Sequence, residues 1–452
     1  MTAPDVVIVG GGTAGCYAAV AAADAGLDVA VLERKSADEA GHIACGDALK
    51  GSDAFPDAIP PDRIDEAVTN PGIDRGIFDL GDDRLEIPVP GELAVLDRKR
   101  YGEILLEAAE RAGADVRYDT VVQDVAQDDE GRVTGVTVRS NGSAERIGAD
   151  VVIDATGALS VLQDRADLGD VTFDDTVRYT QFCSAYREIV EVDEPVDWDD
   201  ALYFKPTDRS AGYLWYFPRT ATEINAGVGF QMDEEPMELV EVLRGDMRAM
   251  PGFEGAEVVD KLGAALPTRR PYDSAVAPGF VAAGDAAGHV NPTTGGGIAG
   301  AAYAGTFAGE LAVEAVTSGD ASEDRLWRYN ERVMETFGAR YAALDAYNVF
   351  VANRDAEEIQ SLMAAMPGEK ISEALYEGEA SVGLGLKARI AVETFGHWGL
   401  LYDLYRTKRA SEALLDVYED YPSSPEGFGD WRERRDAAME RVYDAADAEA
   451  KY

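Results

Sequence analysis

The chain has 452 residues, 46% of them hydrophobic, which excludes a disordered or fibrous chain and suggests roughly two or three packed units. Its 85 acidic residues against 41 basic ones give a formal net charge of -44, which argues against nucleic-acid binding. The acids are spread along the whole length, as on a halophile's solvated surface, where high salt screens the repulsion; a binding site for basic partners would cluster them.

The three cysteines, Cys16, Cys45 and Cys183, are too few and too scattered for a disulfide framework, so a reducing cytoplasm is the expected setting. The opening MTAPDVVIVGGG has no basic stretch ahead of its apolar run, so no secretory signal is expected. No run of about eighteen uncharged apolar residues predicts a membrane-spanning helix. Any membrane contact would be peripheral, at the inner face. No metal site is predicted.

In chain order, DVVIVGGGTAGCYAAVAAADAGLDVAVLER reads as a strand, a glycine turn, an alanine-rich helix and a second strand. Gly10, Gly12 and Gly15 carry the G-x-G-x-x-G spacing. The first glycine permits the turn, the second admits a pyrophosphate, and the third lets helix and strand pack closely, with the helix N-terminus facing the anion. Glu33 closes the second strand about twenty residues on, where a carboxylate binds ribose hydroxyls. Such a carboxylate would repel a 2′-phosphate, which favours FAD or NAD over NADP.

GHIACGDALKG follows, with Cys45 and Asp47 flanking one glycine. Two readings of Cys45 stand: a small buried hydrophobe, or a thiol beside the chemistry. VLDRKRYGEILLEAAERAGADV has the spacing of an amphipathic helix, and Arg98 just ahead of it is either a phosphate partner or a plain surface arginine. GADVVIDATGALS is a further strand ending in a tight turn at Gly157. TVRYTQFCSAYREIV, DALYFKP, GYLWYFP and EINAGVGFQ read as strands of a second, mostly antiparallel sheet, with MELVEVLRGDMRAM as a helix after them. Alternation puts Tyr213, Trp215 and Phe217 on one face, where they are either ordinary core or the lining of a long apolar slot.

PGFVAAGDAAGHVNPTTGGGIAGAAYAGTFAGELA repeats the strand, loop and glycine-led helix. Asp285 at the strand end suits a ribityl hydroxyl, and Gly295, Gly296 and Gly297 let a helix N-terminus approach a reduced, anionic flavin. Gly300 and Gly305 read better as packing glycines. A nicotinamide dehydrogenase has no need of this second cluster, so the cofactor is FAD. From Asp324 onward the chain reads as helices, either a lid over the slot or a dimer surface.

The fold class expected is α/β with an α+β insert. A discontinuous Rossmann-like FAD-binding domain covers 1–70, 96–165 and 265–320; an antiparallel-sheet substrate domain covers 71–95 and 166–264; a C-terminal helical region covers 321–452.

Together these elements resemble the geranylgeranyl reductase family, within the p-hydroxybenzoate hydroxylase-like group of FAD enzymes. The resemblance rests on GDAAGHVNPTTGGGI, ACGD and GYLWYFPRTATEINAGVGF, the last matching the family's Y-x-W-x-F-P pattern through Tyr213, Trp215, Phe217 and Pro218. It implies an enzyme that uses reduced FAD to saturate geranylgeranyl chains on archaeal ether-linked glycerophospholipids, and with the acidic surface a haloarchaeal source. It implies FAD contacts at Ala14, Gly15, Glu33, Ala44, Cys45, Asp47, Arg98, Asp285, Gly297 and Ile298, and at Val122 near the adenine. It places Cys45 at the reactive face as the catalytic thiol, with Tyr213, Trp215 and Phe217 against the prenylated lipid. One departure stands out: Thr156 lies between Ala155 and Gly157 where many members have Asp, a residue that helps hydroxylases dock a pyridine nucleotide. Reduced ferredoxin or another donor is therefore an expected partner. An aromatic hydroxylase on the same scaffold is the alternative.

Overall fold

The computed structural model describes residues 3–51, 55–81, 84–140, 143–168, 172–174, 177–207, 212–232, 236–365 and 398–451. The predicted C-terminal helical region therefore lies partly outside the described residues. Two sheets dominate. The first has six strands in the order Val276–Ala277, Phe280–Ala282, Val151–Asp154, Val6–Val9, Val29–Leu32 and Asp115–Arg117. All its pairs are parallel except the hairpin of the first two. Its central strands, VVIV, VAVL and VVID, are buried along their whole length and rich in β-branched residues because both faces are covered.

On one face the helices Thr13–Asp24 and Ile298–Ser318 cross at very close range. A side chain at Gly305 would put its Cβ 2.2 Å from the Ala14 carbonyl oxygen, and one at Gly309 would meet that of Ala18 at 2.4 Å. The alanine and glycine content of both helices is thus a packing requirement.

The second sheet has eight strands in the order Glu257–Pro267, Phe182–Glu191, Glu223–Gln231, Tyr213–Pro218, Ala201–Pro206, Val68–Asp79, Arg84–Leu96 and Ala48–Lys50. It is antiparallel throughout, save for the parallel pairing of Ala201–Pro206 with Val68–Asp79. Two details differ from the sequence reading. The division expected at residue 70 falls inside the strand Val68–Asp79, and the strand Ala48–Lys50 joins this sheet although its neighbours in sequence lie at the nucleotide turn. A three-stranded meander over 121–148 adds a third, small sheet.

The segment from Asp324, expected as helices, has helical stretches at Glu323–Leu326, Arg328–Val333 and Ala339–Ala352, with a π-helical turn at Met334–Gly338. Trp398–Glu419 packs on Ala339–Ala352, and Phe428–Ala446 packs on both. Among the described residues, no helix is long and apolar enough to cross a membrane.

Candidate active site

One cavity of about 2130 Å3 runs from the carboxyl ends of the parallel strands, past the second sheet, to the C-terminal helices. Every residue predicted to bind cofactor or substrate lines it except Gly15. Gly15 lies beneath the turn, where a Cβ would sit 1.9 Å from the Gly10 carbonyl oxygen. Its contribution is close packing.

At the nucleotide end the site is made by backbone. Gly10 takes φ +104°, and the helix Thr13–Asp24 begins on Gly12 with no side-chain cap, so its first N–H groups stay available. Glu33, 8% exposed, is pinned by two backbone donors: Gly11 N–H to Oε2 at 2.9 Å and Lys35 N–H to Oε1 at 2.8 Å. Arg98 is buried and donates from Nη2 to the Thr13 hydroxyl at 3.1 Å, while its Nη1 has no hydrogen-bond partner among the described residues. The surface reading of Arg98 is therefore corrected. Asp97 caps the helix that starts at Arg98, which fixes where that guanidinium projects. Val122 lines the same end.

The second glycine cluster closes over the middle. The helix Ile298–Ser318 starts on Gly297, again without a side-chain cap, and Gly295 takes φ +70°. Burial pushes the Asp285 carboxyl up to about 6, with Arg98 pulling the other way. Two uncapped helix starts, an orphaned guanidinium nitrogen and a pinned carboxylate on one cavity fit the phosphates and ribose of FAD.

At the other end side chains make the site. Asp47 is fully buried at φ +69°, a strained value for a non-glycine residue. Its Oδ2 accepts from Arg219 (Nε at 2.9 Å, Nη2 at 2.7 Å) and from Asn225 Nδ2 at 2.7 Å. Asn225 Nδ2 also donates to the Cys45 carbonyl at 2.8 Å, and its Oδ1 accepts from Trp215 Nε1 at 3.0 Å. One asparagine thus joins the cysteine loop to the aromatic strand. The Asp47 N–H donates to Cys45 Sγ at 3.3 Å. Burial first, and then the Asp47 carboxylate, push the Cys45 thiol up, so it stays protonated near neutrality.

Tyr213, Trp215 and Phe217 share one face, as the alternation predicts, and that face is the cavity wall. Phe204 and Phe78 extend it: Phe204 packs on Phe217 at 5.2 Å, on Tyr213 at 5.9 Å and on Phe78 at 4.8 Å between ring centroids. Leu214 and Tyr216 point the other way, into the core beneath the helix Pro236–Ala249. Trp215 lies flat over Gly227, where any Cβ would be 2.1 Å from its ring. The Tyr213 hydroxyl donates to the Thr294 carbonyl at 3.4 Å, so the wall touches the second glycine loop.

Arg219 and Asn225 were not singled out in the sequence, although both stand in the stretch GYLWYFPRTATEINAGVGF. An amide in a strand that is otherwise apolar and buried was the available signal. His289 accepts from the Gly284 N–H at 3.1 Å, and burial lowers its pKa to about 3, so it is a neutral structural residue. His42 pairs with Asp260 at 2.8 Å, and Arg187 shares the same carboxylate. Cys16 is buried, whereas Cys183 lines the cavity. Thr156 donates from both its N–H and its hydroxyl to Asp154, at 3.1 and 2.6 Å. The C-terminal helices 339–352, 356–365 and 398–419 all contribute residues to the cavity wall.

A family profile described as FAD binding domain matches residues 3–339. The digeranylgeranylglycerophospholipid reductase 2 of Methanopyrus kandleri is 33% identical over 85% of this chain and 95% of that protein. The digeranylgeranylglycerophospholipid reductase of Sulfolobus acidocaldarius is 26% identical over 96% of this chain and 97% of its own length. Among solved structures, a geranylgeranyl bacteriochlorophyll reductase-like protein from Thermoplasma acidophilum superposes with a TM-score of 0.73 at 24% identity, covering 89% of this chain and 99% of that one. The halogenase CndH shares the fold more distantly, with a TM-score of 0.62 at 20% identity over 87% of this chain and 97% of that one.

Proposed function

The chain belongs to the FAD binding domain family and, within it, to the digeranylgeranylglycerophospholipid reductases, and from that premise we propose that it saturates the double bonds of geranylgeranyl chains on ether-linked glycerophospholipids. The observation that carries this reading is the aromatic wall of Phe78, Phe204, Tyr213, Trp215 and Phe217, which lines the same cavity as Cys45 and Gly295 to Gly297. An aliphatic chain needs such a slot, and a small aromatic acid does not.

Reduction of an isolated alkene takes a hydride and a proton. The helix starts at Gly12 and Gly297, Glu33 and Arg98 would hold FAD, which in its reduced form would supply the hydride. The chain's own part is the proton. Burial keeps the Cys45 thiol protonated, and the Asp47 N–H aimed at Sγ stabilises the thiolate left after transfer. Asn225 holds the Cys45 carbonyl and Trp215 in one rigid frame, so thiol and slot keep their relative position. The aromatic wall and the helices 339–352 and 398–419 keep bulk water from the reacting carbons.

Electron delivery we assign to reduced ferredoxin or another protein donor in place of a pyridine nucleotide. Thr156 occupies the docking turn and spends both of its donors on Asp154. Anaerobic incubation of reduced protein with digeranylgeranylglycerophospholipid, followed by mass spectrometry of the lipid, tests the reaction. A gain of about 2 Da per double bond is expected, from one hydride and one proton, and unchanged lipid alongside fully reduced flavin would refute it. Flavin reduction by NADPH as fast as by reduced ferredoxin would refute the donor assignment.

A further inference from the structure

A thiol that gives up its proton at each double bond must regain one before the next. The Asp47 N–H at 3.3 Å stabilises the thiolate but, as a peptide donor, gives no proton away. The Asp47 carboxyl is fully buried, and its Oδ2 is taken up by Arg219 and Asn225, so it has no route to solvent. Reloading Cys45 needs a titratable group that reaches both the cavity and bulk water. His42 reaches both. It lines the same cavity three residues before Cys45, which holds the two Cα atoms within about 11 Å of each other. Its side chain is 26% exposed, and that of its partner Asp260 is 33% exposed.

The second sheet brings His42 to the thiol by a further route. Arg187 pairs in register with Gly227, and Gly227 with Trp215, so Arg187 and Trp215 point to one face. The indole covers the empty place at Gly227, and Arg187 Nη2 lies 3.4 Å from His42 Nε2. The indole Nε1 in turn faces Gly46, next to Cys45, where a Cβ would be 3.5 Å away. Three charged groups contact His42: Asp260 from the strand Glu257–Pro267, Arg187 from Phe182–Glu191, and Lys35, whose Nζ donates to the His42 carbonyl. Burial pushes the Asp260 carboxyl up, but hydrogen bonds from His42 and Arg187 outweigh it and hold the group below its ordinary value. It is therefore a carboxylate and only accepts, so the hydrogen at 2.8 Å sits on His42 Nε2. Nδ1, without a hydrogen-bond partner among the described residues, is the nitrogen left for proton transfer.

We propose that His42, oriented by Asp260, is the relay that returns a proton from solvent to Cys45 between reductions. The step moves one proton and no electrons. The imidazolium N–H bond breaks as the S–H bond forms, and the neutral ring takes its next proton from water. The proposal rests on the reductase reading and on Cys45 as its acid.

Anaerobic mixing of FAD-loaded protein with geranylgeranyl lipid and excess dithionite separates the first reduction, which uses the proton already on Cys45, from later ones, which need it returned. His42→Gln should slow the later reductions about tenfold or more relative to the first. Added imidazole should restore them, and Asp260→Asn should slow them less. In the wild type the later phase should slow as pH rises and the ring loses its proton; in His42→Gln that dependence should vanish. Equal slowing of both phases, or no rescue by imidazole, would make His42 a structural residue and overturn the relay. A second readout needs no turnover: alkylation of Cys45 by iodoacetamide in oxidised, FAD-loaded protein, followed by peptide mass spectrometry. At neutral pH it should be about tenfold slower in His42→Gln, because the ring is the base that takes the thiol proton. Equal alkylation rates would overturn the relay. Slower alkylation of the variant, in a protein whose wild type reduces no geranylgeranyl lipid, would refute the reductase reading and leave the proton contact between His42 and Cys45 standing.

Discussion

The two halves of the cavity are built by different means. From the nucleotide end to the middle the ligand-facing groups are mostly backbone N–H groups of two uncapped helices, with Arg98 and a glutamate pinned by two more backbone donors. At the Cys45 end they are side chains brought together from distant strands: Asn225 reaches Cys45 across 180 residues and Arg219 reaches Asp47 across 172. A backbone-made site tolerates changes of side chain as long as the turn survives. A side-chain-made site fails when one partner of a buried pair is lost.

The sharpest way to break this comparison is Arg219→Leu. It leaves the fully buried Asp47 carboxylate without its cation, and stability should fall by about 3–5 kcal/mol, read by denaturant unfolding. Arg219→Lys, keeping the charge but losing the paired donors, should recover part of it. A loss below about 1 kcal/mol would mean that the network is not holding the loop.

Next in size is Cys45→Ala. It should leave FAD binding and flavin reduction as they are and slow single-turnover reoxidation by a geranylgeranyl lipid about 10²-fold, with Cys45→Ser slowed less. Reoxidation at the wild-type rate would make the thiol a spectator and move the proton source elsewhere.

In the backbone-made half, effects should be smaller. Glu33→Gln keeps the shape but weakens two charge-assisted bonds, and FAD affinity should drop about tenfold by equilibrium titration.

The smallest effect is that of pH at Asp285. With its carboxyl at about 6 in the FAD-free protein, a proton must leave before the carboxylate can accept from a ribityl hydroxyl. FAD affinity should therefore fall about fourfold between pH 7 and 5.5, and Asp285→Asn should flatten that profile. The same raised pKa works the other way on folding of the FAD-free protein: its contribution is present below the unfolded value and is lost as pH rises through about 6. A pH-independent affinity in the wild type would remove Asp285 from the ribityl contact.

What could be read in the sequence follows the same division. Gly10, Gly12 and Gly295 to Gly297 act within a few residues of their own turns and Glu33 follows its turn at a fixed interval of about twenty residues, so spacing alone exposes them. The alternation of Tyr213, Trp215 and Phe217 is also local, and it assigned the face correctly, though only the fold shows that this face meets a cavity. Arg219 and Asn225 were not legible as site residues, because their partner lies in a loop far away in the chain. The strand Ala48–Lys50, three residues long, carries no periodicity to detect. The π-helical turn at Met334–Gly338 has no compositional mark.

The cofactor-binding family profile ends at residue 339, where the helix Ala339–Ala352 begins to roof the slot. The parts that hold FAD and the parts that enclose the far end of the slot are therefore successive blocks of chain. Changes in the C-terminal block therefore alter the far end of the slot without touching the glycine turns that face FAD.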